Sequence, residues 1–219
     1  MADVRERNVR FVRPSAELEA EFLDMARDFE AASIDMYRPA LEDFRGYLRG
    51  VLQQGLCRKW RLAWNAFADC IRNLLGERRR VEQLIAEGGK SPKKGTVLRK
   101  GYVCQTTFWL QHDDGRLLGT CIVRHRLTPF LLYEGGHLGV DLRPSARAMG
   151  YGIHLAELCV EKARELGFKR VLSTVDEDNR RSRRIIEKTG GKLENSVISH
   201  SGKVKLRYWT DLTRTEQPT

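Results

Sequence analysis

The chain has 219 residues, 41% of them apolar and 31% charged, a balance that suits a globular protein with one substantial core and excludes a disordered or fibrous chain. Lys and Arg number 39 against 29 Asp and Glu, and the formal net charge of +10 favours polyanionic partners, whether nucleic acid, an acidic membrane surface or a phosphorylated cofactor. No apolar run is long enough for a membrane span, and the start M-A-D-V-R-E-R-N-V-R puts charges where a signal peptide needs an apolar stretch, so the expected location is cytoplasmic.

Asn8 to Arg13 alternates like a short strand. Pro14-Ser15 then offers an N-cap to a helix over Ala16 to Ala32, where Leu18, Phe22, Met25 and Phe29 recur at helical spacing. Leu41, Phe44, Leu48, Val51 and Leu52 mark a second amphipathic helix. Leu56, Trp60, Ala63, Trp64, Phe67, Ile71, Leu74 and Leu75 mark a third, more basic one, whose apolar stripe must dock on the rest of the domain or on a second copy in a homodimer. From Cys57 to Gly101, twelve Lys and Arg face four Asp and Glu, so most of the positive excess is local; Gly88 to Gly95 reads as an exposed loop.

From Thr106 the period changes to two. T-T-F-W-L-Q-H, an Asp114-Gly115 turn and R-L-L-G-T-C-I-V-R-H-R-L predict an antiparallel hairpin. A strand over about Leu131 to Leu142 leads through a glycine-punctuated loop into a helix over about Tyr151 to Leu166. A strand (Arg170 to Thr174), a helix (about Asn179 to Thr189) and two strands near Leu193 to Ser199 and Val204 to Trp209 complete the order, which predicts a mixed α+β sheet covered by helices. The five cysteines are odd in number, widely spaced and never in C-x-x-C, so reduced, structural thiols are expected. No histidine stands at metal-ligand spacing, and no metal is expected.

The stretch Leu142-Arg143-Pro144-Ser145-Ala146-Arg147-Ala148-Met149-Gly150-Tyr151-Gly152 leaves a strand and enters a helix. Main-chain N–H groups at a helix start lack intrahelical partners and lie at the positive end of the dipole, so such a turn can hold a phosphate. Gly150 and Gly152 would keep the approach clear. A Walker-type loop would need Gly-Lys-Ser/Thr after its glycines, and a dinucleotide fold would need a parallel βαβ start; neither pattern occurs.

Arg147-x-x-Gly150-x-Gly152 resembles the pyrophosphate signature Arg/Gln-x-x-Gly-x-Gly/Ala of the GNAT superfamily, and D-N-R-R-S-R-R-I-I-E-K-T-G-G (Asp178 to Gly191) resembles its following helix. G-G-H-L-G-V-D-L-R-P-S is similar to a branch of acetyltransferases within that superfamily. The resemblance is loose over Asn8 to Gly55 and good over Thr106 to Trp209. It implies one GNAT-like domain over residues 8–212, with a mostly antiparallel twisted sheet, an enlarged N-terminal helical region and a basic insertion at 56–101. It further implies acetyl-CoA as co-substrate and an amine acceptor that attacks the thioester without an acyl-enzyme.

In that reading the main chain of Val140, Asp141 and Leu142 lies along the pantetheine arm. Arg147, Ala148, Met149, Gly150, Tyr151 and Gly152 form the pyrophosphate turn, and Asn179 and Ser182 stand at the start of the following helix. A lysine-type amine, with a pKa of about 10.4, is protonated at neutral pH, so a base is required. Strand parity with Leu142 makes Glu134 the first candidate, and His137 the second, each set against a structural role. Many family members place a tyrosine acid where this chain has Ile186; Tyr208 and Tyr133 are the substitutes to consider. The competing readings are a non-catalytic acyl-CoA sensor and a nucleic-acid or acidic-surface binder acting through 56–101.

Overall fold

The structure, a computed structural model, describes residues 8–55 and 103–213. Strands β1 (Val9–Val12), β2 (Gln105–His112), β3 (Leu117–Arg124) and β4 (Leu138–Leu142) pair antiparallel in the order β1-β2-β3-β4. Strands β5 (Arg170–Asp176), β6 (Gly191–Ile198) and β7 (Val204–Asp211) form a second antiparallel sheet in the order β5-β7-β6. Helices α1 (Glu19–Ala31), α2 (Arg38–Glu42), α3 (Phe44–Gly55), α4 (Tyr151–Glu165) and α5 (Arg180–Lys188) flank them. This is the mixed α+β architecture, with antiparallel sheets between helices, that the resemblance implies.

The register of the first sheet separates two faces. Trp109, Thr120 and Asp141 share one row, and Phe108, Cys121 and Val140 the other. Trp109 is fully buried with Phe22, Met25 and Phe29 of α1 and with Tyr37, Phe44 and Leu48. On the opposite face Phe108, Leu110, Cys121 and Val123 pack on Leu155, Cys159 and Ala163 of α4. Each such aromatic or aliphatic side chain contributes roughly 1.5–3 kcal/mol when fully buried, so both helical layers are fastened to the sheet mainly by apolar contact.

Four sequence expectations change in detail. The first helix begins with a short 3-10 turn, Ala16–Leu18, and Ser15 makes no side-chain cap bond. The second is broken into α2 and α3 because Asp43 leaves the helix and caps the next one, its Oδ1 accepting the Gly46 N–H at 2.8 Å. The strand expected over Leu131 to Leu142 is a π-helical turn at Leu131–Gly135 followed by β4. Gly136 ends that turn at φ 69°, and a Cβ there would come within 2.6 Å of the Leu172 carbonyl, so the chain bends where alternation alone continues straight. Cys121 and Cys159 are joined as a disulfide between β3 and α4, and Cys104 is also disulfide-bonded, which corrects the expectation of reduced thiols. Thirty-eight residues separate Cys121 from Cys159, so only the docking of α4 brings them together. The third expected helix and the basic segment 56–101 lie outside the described residues.

Candidate active site

Strands β4 and β5 are neighbouring edges of the two sheets, and the α4 crossover sets them side by side. A pair of hydrogen bonds clasps them just before β4 begins. The His137 N–H donates to the Leu172 carbonyl at 2.7 Å, and the Leu172 N–H donates to His137 Nδ1 at 2.9 Å. Past that clasp no ladder joins the two strands among the described residues, so the main chain of Gly139 to Leu142 borders an open fork. Val140, 44% exposed, stands at its edge.

Beyond β4 the chain makes a 3-10 turn at Pro144–Ala146 and reaches α4 through Arg147 to Gly150. Two residues of that turn are left-handed, Ala148 at φ 64° and Gly150 at φ 88°. Such a conformation costs an alanine about 1–2 kcal/mol, the kind of strain that a binding turn stores. Gly150 is the N-cap of α4, whose first turn carries no acidic side chain, so its main-chain N–H groups and dipole present a positive end. Met149 is 59% exposed over it. The residues present therefore suit a pyrophosphate at the end of this fork.

Other members of the expected site have more specific places. Arg147 folds away from the turn: its Nε donates to the Leu142 carbonyl at 3.1 Å and its guanidinium lies 5.8 Å from the Phe29 ring. A Cβ on Gly152 would stand 3.0 Å from Ile185 Cδ1, so this glycine lets α5 approach the first turn of α4. Tyr151 sets its ring edge against His112. Asn179 caps α5, its Oδ1 accepting the Ser182 N–H at 3.1 Å, which leaves the exposed Asn179 Nδ2 as a donor.

Glu134 lies in the π-helical turn rather than on a strand, so its parity with Leu142 is lost. Its burial is a separate matter. The residue is 6% exposed; Oε2 accepts the His200 N–H at 2.8 Å, while Oε1 is buried with no hydrogen-bond partner. Its carbonyl accepts Thr174 Oγ1 of β5 at 2.9 Å. Arg207, buried on β7, supports the same turn by donating to the carbonyls of Leu132 and Tyr133 while pairing with Glu194. His137, by contrast, spends its Nδ1 lone pair on Leu172, and its ring packs against Phe168 and Trp209. A neutral imidazole accepting at Nδ1 carries its proton on Nε2, and in that form His137 fastens the fork.

Ile186 packs with Val175, Leu206 and Tyr208. The Tyr208 hydroxyl donates to Glu187 Oε1 at 2.9 Å; burial, with Glu187, raises its pKa against the opposing effect of Arg183. Burial and the charge of Glu134 likewise push Tyr133 upward against Arg207. Both phenols thus stay protonated at neutral pH. No group of three or more His, Cys, Asp or Glu is placed to hold a metal ion among the described residues, and no described helix is long and apolar enough to cross a membrane.

The profile of the acetyltransferase (GNAT) domain matches residues 36–192. The chain belongs to the GNAT acetyltransferase family. Among solved structures, a putative GnaT-family acetyltransferase from Bordetella pertussis is 15% identical over 94% of this chain and 96% of its own, with a TM-score of 0.54. That likeness shows the fold. A chimera of a spermidine N-acetyltransferase from Vibrio cholerae is 12% identical over 50% of this chain and 68% of its own, at a TM-score of 0.43. A nourseothricin acetyltransferase is 23% identical over 49% and 65%, at 0.40. No curated protein matches in sequence.

Two features of this GNAT domain escape sequence reading. Arg143, buried beside the turn before α4, donates from Nε to Asp28 at 2.8 Å and from Nη1 to Asp24 at 2.9 Å; Ser145 adds Oγ and N–H bonds to Asp28. This strut ties α1 to the turn, and nothing in the local pattern pairs residues 115 positions apart. The second is the side chain of Asp141, which alternation places on the α1–α3 face of β4, where it shares a row with Trp109 and Thr120.

Proposed function

We propose that this GNAT domain is an acetyl-CoA-dependent N-acetyltransferase of the cytoplasm that moves an acetyl group to an amine by direct attack. The observation that supports it is the open fork between β4 and β5 running toward the left-handed turn Ala148–Gly150 at the start of α4. In this reading the fork's main chain at Val140 to Leu142 pairs with the amides of the pantetheine arm as an added strand would. The N–H groups of the turn and of α4 hold the pyrophosphate. Asn179 donates to the arm from the other side.

The acceptor arrives as an ammonium ion and gives one proton to the Glu134 carboxylate, directly or through water. Its nitrogen lone pair attacks the thioester carbonyl carbon; the C–N bond forms and the C–S bond breaks. The products are the amide and the CoA thiolate, and the thiolate takes up a proton from solvent or from Tyr133. Two protons leave the amine and one is returned to the thiol, so one is released per turnover near neutral pH. A thiol pKa of about 8.5 makes the thiolate a tolerable leaving group, so the absence of a tyrosine at Ile186 does not block the step.

The test uses the cofactor turn. Gly150→Asp places a negative charge beside the pyrophosphate, and Gly150→Asn carries the same backbone cost without the charge. Calorimetry should show acetyl-CoA binding lost in Gly150→Asp and retained, at reduced affinity, in Gly150→Asn. Thiol release from acetyl-CoA should require an added primary amine. Equal binding by a folded Gly150→Asp protein overturns the cofactor site. Binding without thiol release across a broad amine panel identifies an acyl-CoA sensor instead.

A further inference from the structure

We infer that Asp141 holds the cationic group of the acceptor at the edge of the β4 face that α1–α3 cover, an inference that rests on the acetyltransferase reading above. Five groups on that face have unused bonding capacity. The Asp141 carboxylate is half-buried and makes no hydrogen bond or ion pair with any described residue. The Tyr47 hydroxyl, within electrostatic reach of it, is likewise without a hydrogen-bond partner among the described residues. Thr107 Oγ1 and Trp109 Nε1, in the same side-chain rows, are buried and unpartnered. Arg124, also on this face, uses Nη1 on the carbonyls of Gly135 and Gly136 and leaves Nη2 beside Gly139. Tyr37 alone is closed, its hydroxyl bonded to Thr120 Oγ1 at 2.8 Å.

Buried polar groups are paired in the great majority of cases, so a cluster of unpaired ones on one face marks a place where a ligand completes the bonding. The chemistry of the cluster selects the ligand. A half-buried carboxylate whose row neighbour Thr120 bonds the Tyr37 hydroxyl, and which lies within electrostatic reach of Tyr47, favours an ammonium group through charge-assisted hydrogen bonds. An anionic acceptor would meet the Asp141 charge, and a neutral alcohol would leave it without a counter-ion. Burial raises the Asp141 pKa, while Arg147 and Arg124 oppose that rise without forming an ion pair with it. Neither arginine forms a hydrogen bond with the carboxylate, which stays open to a ligand. Asp141 lies on β4, and Glu134 lies in the turn before it; Arg124 contacts the end of that turn, and Thr174 of β5 contacts the Glu134 carbonyl. Asp141 positions the acceptor; Glu134 takes the proton.

The two roles separate in kinetics. In the full chain Asp141→Asn, isosteric and unbonded in the fold, should raise KM for a primary amine about tenfold or more, with kcat changed by less than about threefold and acetyl-CoA affinity unaltered by calorimetry. Asp141→Glu should recover part of the loss, and Tyr47→Phe should raise KM by a smaller factor. An assay without turnover, thermal stabilisation by cadaverine, tryptamine or a lysyl peptide, should show stabilisation of wild type and none of Asp141→Asn. Wild-type KM in Asp141→Asn, or equal stabilisation of the two proteins, overturns the proposal, as does failure of all three amines to bind wild type. Asp141-dependent amine binding without acetyl transfer would leave this subsite standing and sink the enzyme reading alone.

Discussion

Glu134 carries opposite signals at the residue scale. A carboxylate with one oxygen fixed by the His200 N–H and the other buried without a partner is destabilising in a folded protein unless a ligand or a proton uses it. Glu134→Gln keeps the volume and the His200 bond but removes the base. Its kcat should fall about 100-fold at neutral pH and by less at alkaline pH, where more of the amine is already deprotonated, with acetyl-CoA affinity unchanged. A pH–rate profile superimposable on that of wild type would assign Glu134 to holding the β6–β7 turn. The comparison with Asp141→Asn sharpens this, because one variant should act on kcat and the other on KM.

At the level of elements, the joint between α1 and the cofactor turn is built from Arg143, Asp24, Asp28 and Ser145. Burial raises the Asp28 pKa, but hydrogen bonds from Ser145 and Arg143 outweigh it and hold the carboxyl below its ordinary value. A lowered folded-state pKa means that the stabilisation is complete above the unfolded value and disappears as pH falls through the folded one. Asp28→Ala should therefore cost on the order of 2 kcal/mol at neutral pH, where it leaves the buried Arg143 with Asp24 as its only carboxylate partner among the described residues. The gap between variant and wild type should narrow below about pH 4. Thermal unfolding at pH 7 and pH 3 measures it, and an equal loss at both would show that the joint is held by packing rather than by charge. Because the strut reaches Ser145, the variant should also weaken acetyl-CoA binding through the turn.

For the whole molecule, the dominant long-range feature is charge. The formal net charge of +10 lies mostly in the segment from Cys57 to Gly101, outside the described residues, and acetyl-CoA is itself a polyanion. Screening by salt should therefore raise KM for acetyl-CoA in wild type. Replacing Arg78, Arg79, Arg80, Lys93 and Lys94 together by Gln halves the formal net charge and should flatten that dependence. The same slope in both proteins would make the segment a solvated surface with no part in cofactor capture. Apolar contacts on the two faces of the first sheet are insensitive to salt, so stability should change little in the same series.

Sequence alone determined what depends on local chemistry. The alternation of β2 and β3, the helical periods of α1 and α4, and the glycine spacing at Gly150 and Gly152 are set by neighbours within a few residues, so they were legible, as was the family. The π-helical turn was not, because Gly136 bends the chain against the Leu172 carbonyl of a strand that lies far along the sequence. That bend moved Glu134 off β4 and turned His137 into a clasp between two sheets. The Cys121–Cys159 bond, the Arg143 strut and the open carboxylate of Asp141 have the same origin: each is defined by groups that only packing brings together, across separations no local period records.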